Sequence, residues 1–235
     1  MSEILIIKNI SREGPGLLEG VLNNAHITFD LVNLDAGDSF PSPLTYKAII
    51  VLGGPDSAND QTKKMMDELA KVRLALEKQI PYLGICLGLQ VGVKAAGGKV
   101  VKGSIKEVGL YDHKRQRNTI QPTIDGKNDP LLSGLGDSLN VFQLHGETVE
   151  CTDHMTLLAT GEHCQNQIVK IGEKAYGIQS HFELTPEMLT VWATKDPDLI
   201  PLGKESLLAD FKMIQQEYTT TGEKLLRNFL RLAGF

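Results

Sequence analysis

A cysteine stands between two glycines where a strand-like run ends. Residues 82–90 read Tyr-Leu-Gly-Ile-Cys-Leu-Gly-Leu-Gln, so Gly84 and Gly88 flank Cys86 at positions i−2 and i+2. G-x-C-x-G is the thiol version of the strand–turn–helix elbow that holds a nucleophile at the edge of a parallel sheet. Glycines permit the tight turn, and the start of the following helix favours the thiolate. The pattern predicts a nucleophilic Cys86, with a structural cysteine in a buried strand as the alternative.

A histidine and a glutamate two residues apart follow another strand-like run, in the segment 176–183. Residues two apart on a strand face the same side, so we expect His181 and Glu183 to project together. A thiolate nucleophile needs a base that can also protonate a leaving nitrogen. That base needs a carboxylate to hold its tautomer. Cys86, His181 and Glu183 could fill these three roles. An exposed, salt-linked pair is the alternative for the last two.

A third motif, Gly53-Gly54-Pro55, directly follows the apolar run 47–52. The carboxyl end of a strand is where ligands bind in open α/β sheets. A glycine there can offer its backbone N–H to a developing oxyanion. The tripeptide could equally be a plain turn without a function.

Strand-like and helix-like segments alternate in the first hundred residues. We expect strands at 3–8, 27–34, 47–52 and in the run that ends at Cys86, and helices at 15–25, 61–79 and 87–96. Shorter strand-like runs follow at 99–102, 106–111, 118–123, 139–143, 155–160, 167–171 and 175–179. Helices return at 187–195, 204–218 and 222–232. This rhythm predicts an α/β fold with a doubly wound, mostly parallel (flavodoxin-like) sheet, helices on both faces and an appended short-strand section.

The composition excludes several classes of protein. A length of 235 residues with 41% hydrophobic residues suffices for one large domain, which we expect to span 1–235. The net charge of −5 argues against nucleic acid or an anionic membrane as the main partner. The three cysteines include no C-x-x-C pair, so neither a disulfide framework nor a metal site is predicted. With no signal-peptide pattern and no P-loop, we expect a cytoplasmic protein without a cofactor.

Taken together, the three motifs resemble the class I (triad-type) glutamine amidotransferase family. That family shows a Gly-Gly-Pro turn, a G-x-C-x-G-x-Q elbow and a late Q-x-H-x-E. The resemblance covers nearly the whole chain. It is closest to stand-alone proteins similar to the amidotransferase domain of guanosine monophosphate synthetase. Lesser matches are Glu107-Val108-Gly109 and Leu144-His145-Gly146-Glu147. Two positions depart from the family: Phe182 replaces a usual proline, and Leu144 replaces a frequent serine or tryptophan.

The resemblance implies amide hydrolysis through a thioester on Cys86. The implied oxyanion hole consists of the N–H groups of Gly54 and Leu87, and Gln90 resembles the family's substrate-contacting glutamine. The segment Leu144, His145 and Gly146 would line the amino-acid end of the substrate through its backbone. His145 itself is interpreted as structural.

Three functions stay open on the sequence. The first is a glutaminase subunit that supplies ammonia to a separate synthase. The second is a stand-alone hydrolase of γ-glutamyl amides or peptides. The third is a catalytically silent binding or regulatory protein, against which the complete triad argues. The expected ligand is glutamine or another γ-glutamyl amide.

Overall fold

The computed structural model describes residues 2–235, which form eleven strands and six α-helices. The strands are β1 (Ile4–Lys8), β2 (Phe29–Asn33), β3 (Ala48–Val51), β4 (Tyr82–Ile85), β5 (Lys99–Gly109), β6 (Thr119–Pro122), β7 (Leu139–Asn140), β8 (Gln143–Glu150), β9 (Thr156–Gly161), β10 (Ile168–Gly172) and β11 (Ala175–Ile178). The helices are α1 (Leu17–Asn24), α2 (Lys63–Glu77), α3 (Leu87–Ala95), α4 (Ile124–Asn128), α5 (Pro186–Lys195) and α6 (Lys204–Leu232).

Nine of these strands form one sheet in the order β2-β1-β3-β4-β11-β10-β9-β6-β7. Neighbours from β2 to β11 pair in parallel. From β11 to β7 the short strands continue the same sheet in antiparallel pairs. Strands β5 and β8 form a separate two-stranded ribbon. The predicted α/β fold with an appended short-strand section is therefore confirmed.

The parallel strands are buried on both faces. In β1, Ile4 and Ile6 belong to an apolar cluster with α1 and the second half of α6. Leu5 and Ile7 belong to the opposite cluster, which includes residues of α2 and α3. Because successive side chains of a strand point to opposite faces, a continuous apolar run is the sequence signature of this double burial.

The C-terminal region differs from the expectation of two helices at 204–218 and 222–232. It forms a single helix, α6, of 29 residues. Gly222 lies inside this helix and is buried against the loop before α5. A Cβ at this position would lie 2.2 Å from the carbonyl oxygen of Phe182. The glycine thus serves close helix packing and does not end the helix. Among residues 2–235, no helix combines the length and the apolar character needed to cross a membrane.

The ribbon is the second difference from the sequence-based expectation. The runs 99–102 and 106–111 belong largely to one strand, β5, whose pairing register shifts between Lys102 and Glu107. Its partner β8 covers 143–150, where no strand of that length was predicted. The buried positions of β8 are Gln143, His145 and Val149, and two of these three residues are polar. The apolar period of two that marks a strand in a sequence is therefore missing there.

The parallel strands bring four loops to one edge of the sheet. Strands β1, β3, β4 and β11 run side by side in the same direction, so their carboxyl ends lie together. The loops that follow them contain Glu13, Gly53, Cys86 and His181, respectively. This edge is where ligands bind in open α/β sheets.

Candidate active site

Cys86 occupies a strained turn between β4 and α3. Its backbone has φ 53° and ψ −107°, and it is the N-cap residue of α3. Positive φ is uncommon for a residue with a side chain, and such strain is concentrated at functional sites. A Cβ on Gly84 would lie 2.3 Å from the backbone of Gly88, and a Cβ on Gly88 would lie 2.1 Å from the carbonyl oxygen of Val51. Packing therefore requires both glycines of the G-x-C-x-G pattern.

His181 and Glu183 are in contact, although not on a strand. The prediction that they project from a strand is wrong, because β11 ends at Ile178. The ring Nδ1 of His181 is 2.6 Å from Oε1 of Glu183. The other carboxylate oxygen accepts a hydrogen bond from the Phe182 N–H at 3.0 Å. A proline at this position, as is usual in the resembled family, could not donate this bond. The loop after β11, which contains His181 and Glu183, therefore depends on tertiary contacts for its conformation.

The loop of His181 is fixed by its neighbours. The backbone of His181 exchanges hydrogen bonds with Phe142, and the Tyr218 hydroxyl donates to the carbonyl oxygen of His181 at 2.7 Å. The ring of Trp192 packs edge-on against the imidazole, with 5.0 Å between ring centroids. The imidazole thus has little freedom to change its orientation.

The histidine–glutamate pair is buried, which excludes the exposed salt-linked pair. His181 is 1% and Glu183 2% exposed. Burial by itself disfavours the imidazolium, but the charge of Glu183 and hydrogen bonds to Cys86 and Glu183 together hold the pKa of His181 well above its ordinary value. A charged imidazolium beside a thiol is the state in which a cysteine becomes a strong nucleophile.

A cleft of about 530 Å³ opens over Cys86 and His181. Its walls include every proposed oxyanion and substrate residue, and Glu183 lies behind His181. The residues lining the cleft are Arg12, Glu13, Gly54, Pro55, Asp56, Ser57, Cys86, Leu87, Gln90, Lys106, Leu144, His145, Gly146, Glu147, His181, Asp196, Pro197 and Asp198. The structure therefore brings together the residues that the three sequence motifs singled out.

Gly54 and Leu87 lie near Cys86, one on the loop after β3 and the other at the start of α3. Leu87 is the first residue of α3, so its N–H has no acceptor within the helix. Gly54 packs against Asn9, since a Cβ on Gly54 would lie 2.6 Å from the Asn9 Cβ. Asn9 in turn donates from Nδ2 to the carbonyl oxygen of Leu52 at 3.3 Å. These contacts place the Gly-Gly-Pro turn beside the thiol.

Gln90 and the 144–146 segment line the opposite wall. Gln90 donates from Nε2 to the Glu147 carbonyl oxygen at 3.3 Å. The Cys86 sulfur is 3.7 Å from the carbonyl oxygen of Leu144. Nδ1 of the His145 ring lies 3.0 Å from the Glu147 carbonyl oxygen, and Nε2 lies 3.4 Å from Oε2 of Glu107. The His145 side chain thus contacts its own ribbon, in line with its interpretation as structural.

Two residues of the site were not assigned a role from the sequence. Gln179 donates from Nε2 toward the Cys86 sulfur at 3.8 Å and accepts from Gln90. Glu13 lines the cleft and is 5% exposed. Burial raises the pKa of Glu13 to about 7, with His181 lowering it and Glu183 raising it further. The signal that could have found Glu13 is its position, since it follows the first strand of a parallel sheet.

Two groups of side chains resemble metal ligand sets. One group is Glu107, His145 and Cys164. The other is Asp112, His113 and His163. The ligand atoms of each lie within 4.8 Å of one another. Neither group includes Cys86 or His181. That the protein needs no metal stays a prediction.

A buried glutamate contacts Asn9, the residue against which the Gly-Gly-Pro turn packs. Glu68 of α2 is fully buried and accepts a hydrogen bond from Asn9 Nδ2 at 3.0 Å. Burial raises its pKa to about 7 from 4.5. Between pH 4.5 and about 7, Glu68 therefore keeps its proton in the folded protein and has lost it in the unfolded chain. The contribution of Glu68 to the free energy of unfolding is greatest below pH 4.5 and is lost as the pH rises through about 7.

We expect Glu68→Gln to flatten this pH dependence. Glutamine keeps the acceptor for Asn9 and has no charge to bury. Between pH 5 and pH 8 the variant should lose about 2–3 kcal/mol less of its free energy of unfolding than the original protein. Urea unfolding at the two pH values measures this difference. Glu77→Gln, at an exposed position of the same helix, is the matched control. Parallel pH curves for Glu68→Gln and the original protein would contradict the prediction.

Comparison with known proteins places these features in a family. The model of the family described as glutamine amidotransferase class-I matches residues 18–190. The glutamine amidotransferase-like protein YfeJ of Salmonella typhimurium is 30% identical over 200 residues, covering 82% of this chain and 81% of that protein. The glutamine-hydrolyzing GMP synthase of Bacillus subtilis is 36% identical over 140 residues, which are 59% of this chain and 24% of that enzyme. The chain thus matches about a quarter of that synthase.

A solved structure extends the match to the whole fold. A glutamine amidotransferase from Thermotoga maritima superposes with a TM-score of 0.85 at 26% sequence identity. The superposition covers 100% of this chain and 99% of that one. The arrangement of the strands and helices is therefore shared over the full length.

Proposed function

This chain belongs to the class-I glutamine amidotransferase family, and on that premise we propose that it hydrolyses the side-chain amide of glutamine through a thioester on Cys86. The products are glutamate and ammonia. The observation that carries the proposal is the strained Cys86 turn facing the buried His181–Glu183 pair in one cleft. A thiol, a base and a carboxylate in this order are the minimum set for such an acyl transfer.

The first step is attack by the Cys86 thiolate on the carboxamide carbon. The sulfur lies at the start of α3, and the His181 imidazolium is its neighbour in the cleft. The oxyanion that forms accepts hydrogen bonds from the N–H groups of Gly54 and Leu87. Backbone donors of this kind stabilise charge that exists only in the transition state and intermediate, and thereby raise kcat.

The second step is proton transfer by His181. The imidazolium protonates the departing nitrogen, the C–N bond breaks, and ammonia leaves the thioester. The neutral imidazole then takes a proton from water, which attacks the thioester and releases glutamate. Glu183 at 2.6 Å from Nδ1 holds the ring in the tautomer that presents Nε2 to these atoms.

The substrate's amino-acid end lies against the wall formed by Gln90 and the segment of Leu144, His145 and Gly146. Gln90 is buried and already holds the Glu147 carbonyl oxygen, so it fixes the distance between α3 and β8. The peptide groups of 144–146 then face the cleft as fixed hydrogen-bonding partners.

We propose a separate synthase subunit as the acceptor of the ammonia. Support comes from the match to GMP synthase, in which the corresponding segment is about a quarter of the enzyme. A stand-alone γ-glutamyl hydrolase is the second candidate. The cleft of about 530 Å³ favours it, because that volume lies in the range of pockets for drug-sized ligands rather than for one amino acid.

The test is steady-state release of ammonia or amine by the isolated protein. An ammonia-supplying subunit should hydrolyse glutamine slowly, with movement of the Gly53–Pro55 turn completing the oxyanion hole when the synthase binds. It should leave γ-glutamyl dipeptides intact. Fast cleavage of a dipeptide together with indifference to glutamine would refute the amidotransferase proposal and establish the hydrolase. No release from either substrate by the intact protein, alone or with a synthase, would favour the silent binding protein.

A further inference from the structure

Glu13 is a buried carboxylate that the mechanism above does not use. It follows β1 and is 5% exposed, and it lines the cleft with Cys86 and His181. Its position beside the reacting groups follows from the packing of Gly53. A Cβ added to Gly53 would lie 2.8 Å from Glu13 Oε2, 3.2 Å from the His181 ring carbon Cε1 and 3.5 Å from the Cys86 Cβ. Three side chains therefore converge on one point.

Glu13 and Gln90 approach Cys86 from opposite faces of the sheet. Gln90 belongs to α3, whose apolar residues pack in one cluster. Glu13 precedes α1, whose apolar residues pack in the other cluster. The scissile nitrogen must come within reach of His181 to be protonated, and Glu13 borders the His181 ring beside Gly53. The carboxylate is thus placed on the side from which the leaving group departs.

Three aspartates of the cleft form salt bridges with neighbouring cations. Asp196 pairs with Arg12 at 2.6 Å, and Asp198 pairs with Lys106 at 2.5 Å. Asp56 pairs with Lys64. Glu13 makes no salt bridge with any residue in 2–235. A buried carboxylate without a salt bridge is costly, and it is suited to a ligand that brings a positive charge or N–H donors.

We propose that Glu13 determines specificity for the leaving group. Its carboxylate accepts a hydrogen bond from the departing nitrogen of the amide. This inference rests on the proposed function. When His181 transfers its proton, the nitrogen of the tetrahedral intermediate becomes a cationic ammonium group with three N–H bonds. The C–N bond then breaks, its electron pair goes to nitrogen, and the carbonyl of the thioester re-forms. Glu13 stabilises the charge that develops on nitrogen and gains or loses no atom in the step.

The proposal distinguishes amides from activated esters. An amide nitrogen leaves only after protonation, whereas 4-nitrophenolate leaves without a proton. A charge-assisted hydrogen bond to the leaving nitrogen stabilises the transition state for cleavage of the C–N bond. Its loss should therefore affect amide cleavage and spare the ester, although both substrates place the same γ-glutamyl group on Cys86.

The experiment compares Glu13→Gln with the original protein on glutamine and on glutamate γ-(4-nitrophenyl) ester. We expect kcat/KM for glutamine to fall about 10- to 100-fold, as one lost charge-assisted hydrogen bond predicts. The value for the ester should stay within about threefold. Glu19→Gln, at an exposed position in the first turn of α1, is the matched control and should change neither. Glu13→Asp keeps the charge and carries the test if Glu13→Gln does not fold.

A pH profile provides a second readout that a purely structural role would not change. The groups facing Glu13 are Arg12 of its own loop, His181 and Glu183 after β11, and Asp196 after α5. Cys86 after β4 is the remaining neighbour. Because burial raises the pKa of Glu13 to about 7, kcat/KM for glutamine should rise as the pH passes through this value. The rise should be absent in Glu13→Gln.

The outcomes separate the inference from the proposed function. An equal loss on both substrates would overturn the inference, because Glu13 would then act on the acyl group or on the fold. Unchanged rates on both would overturn it as well. If the original protein cleaves neither substrate, the proposed function fails, and the inference fails with it. Only an active original protein with an amide-selective loss in Glu13→Gln supports both.

Discussion

We expect Cys86→Ser to abolish glutamine hydrolysis, which is the largest loss of activity that we predict for any variant. Serine at the strained turn keeps the size of the side chain. Its hydroxyl, however, does not ionise near neutral pH, even beside an imidazolium. Removal of the nucleophile from such an arrangement costs roughly 10⁴-fold or more in kcat, because the remaining groups act as a unit with it. Ammonia release from glutamine measures the loss, and thermal unfolding shows that the fold is retained.

Cys151→Ser is the matched control, since Cys151 is half-buried and lies outside the cleft. It should leave activity unchanged. Brief treatment with iodoacetamide should also label Cys86 first, because burial raises the pKa of both the Cys151 and the Cys164 thiols. Activity retained in Cys86→Ser, or lost in Cys151→Ser, would contradict the assignment of the nucleophile.

His181→Ala should lower kcat/KM for glutamine by roughly 10²–10⁴-fold, the usual contribution of a general acid–base. His154→Ala, at an exposed turn, is the control and should be neutral. Imidazole added to the buffer should restore part of the activity of His181→Ala, since the removed ring borders the cleft. A variant that keeps more than about a tenth of the original rate would exclude His181 as the base.

Glu183→Gln should be nearly as harmful as His181→Ala. Both oxygens of Glu183 accept hydrogen bonds, one from His181 and one from the Phe182 N–H. An amide can accept only one of these bonds and must donate in the other direction. The backbone N–H is fixed, so the His181 ring would change its tautomer and lose the base that faces Cys86. Added imidazole should not rescue this variant. A loss below about tenfold would show that Glu183 does not control the tautomer.

Much of the fold could be predicted from the sequence. The parallel half of the sheet follows from buried apolar runs alternating with amphipathic helices. Where α6 continues through Gly222, prediction failed because the residue that usually ends a helix is here required by a close contact with the Phe182 carbonyl. Strand β8 was not predicted at its full length because two of its three buried residues, Gln143 and His145, are polar.

The Cys86 turn could be predicted from the sequence. The requirement for Gly84 is local, because a Cβ there would lie 2.3 Å from the backbone of Gly88. A local steric rule of this kind is readable without knowledge of the rest of the chain. Gly88 and Gly54 are also required by long-range contacts, since a Cβ on Gly88 would meet the carbonyl oxygen of Val51 and a Cβ on Gly54 would meet Asn9. These motifs carried the resemblance to the family.

The surroundings of the thiol depend on contacts between residues that are far apart in sequence. The contact of His181 with Glu183 arises from a bent loop held by Phe142 and Tyr218, which are distant in sequence. Glu13 reaches the cleft because β1 lies beside β3 in the sheet, and strand order is set by long-range packing rather than by any local pattern. Its charge state follows from burial, which a sequence does not display.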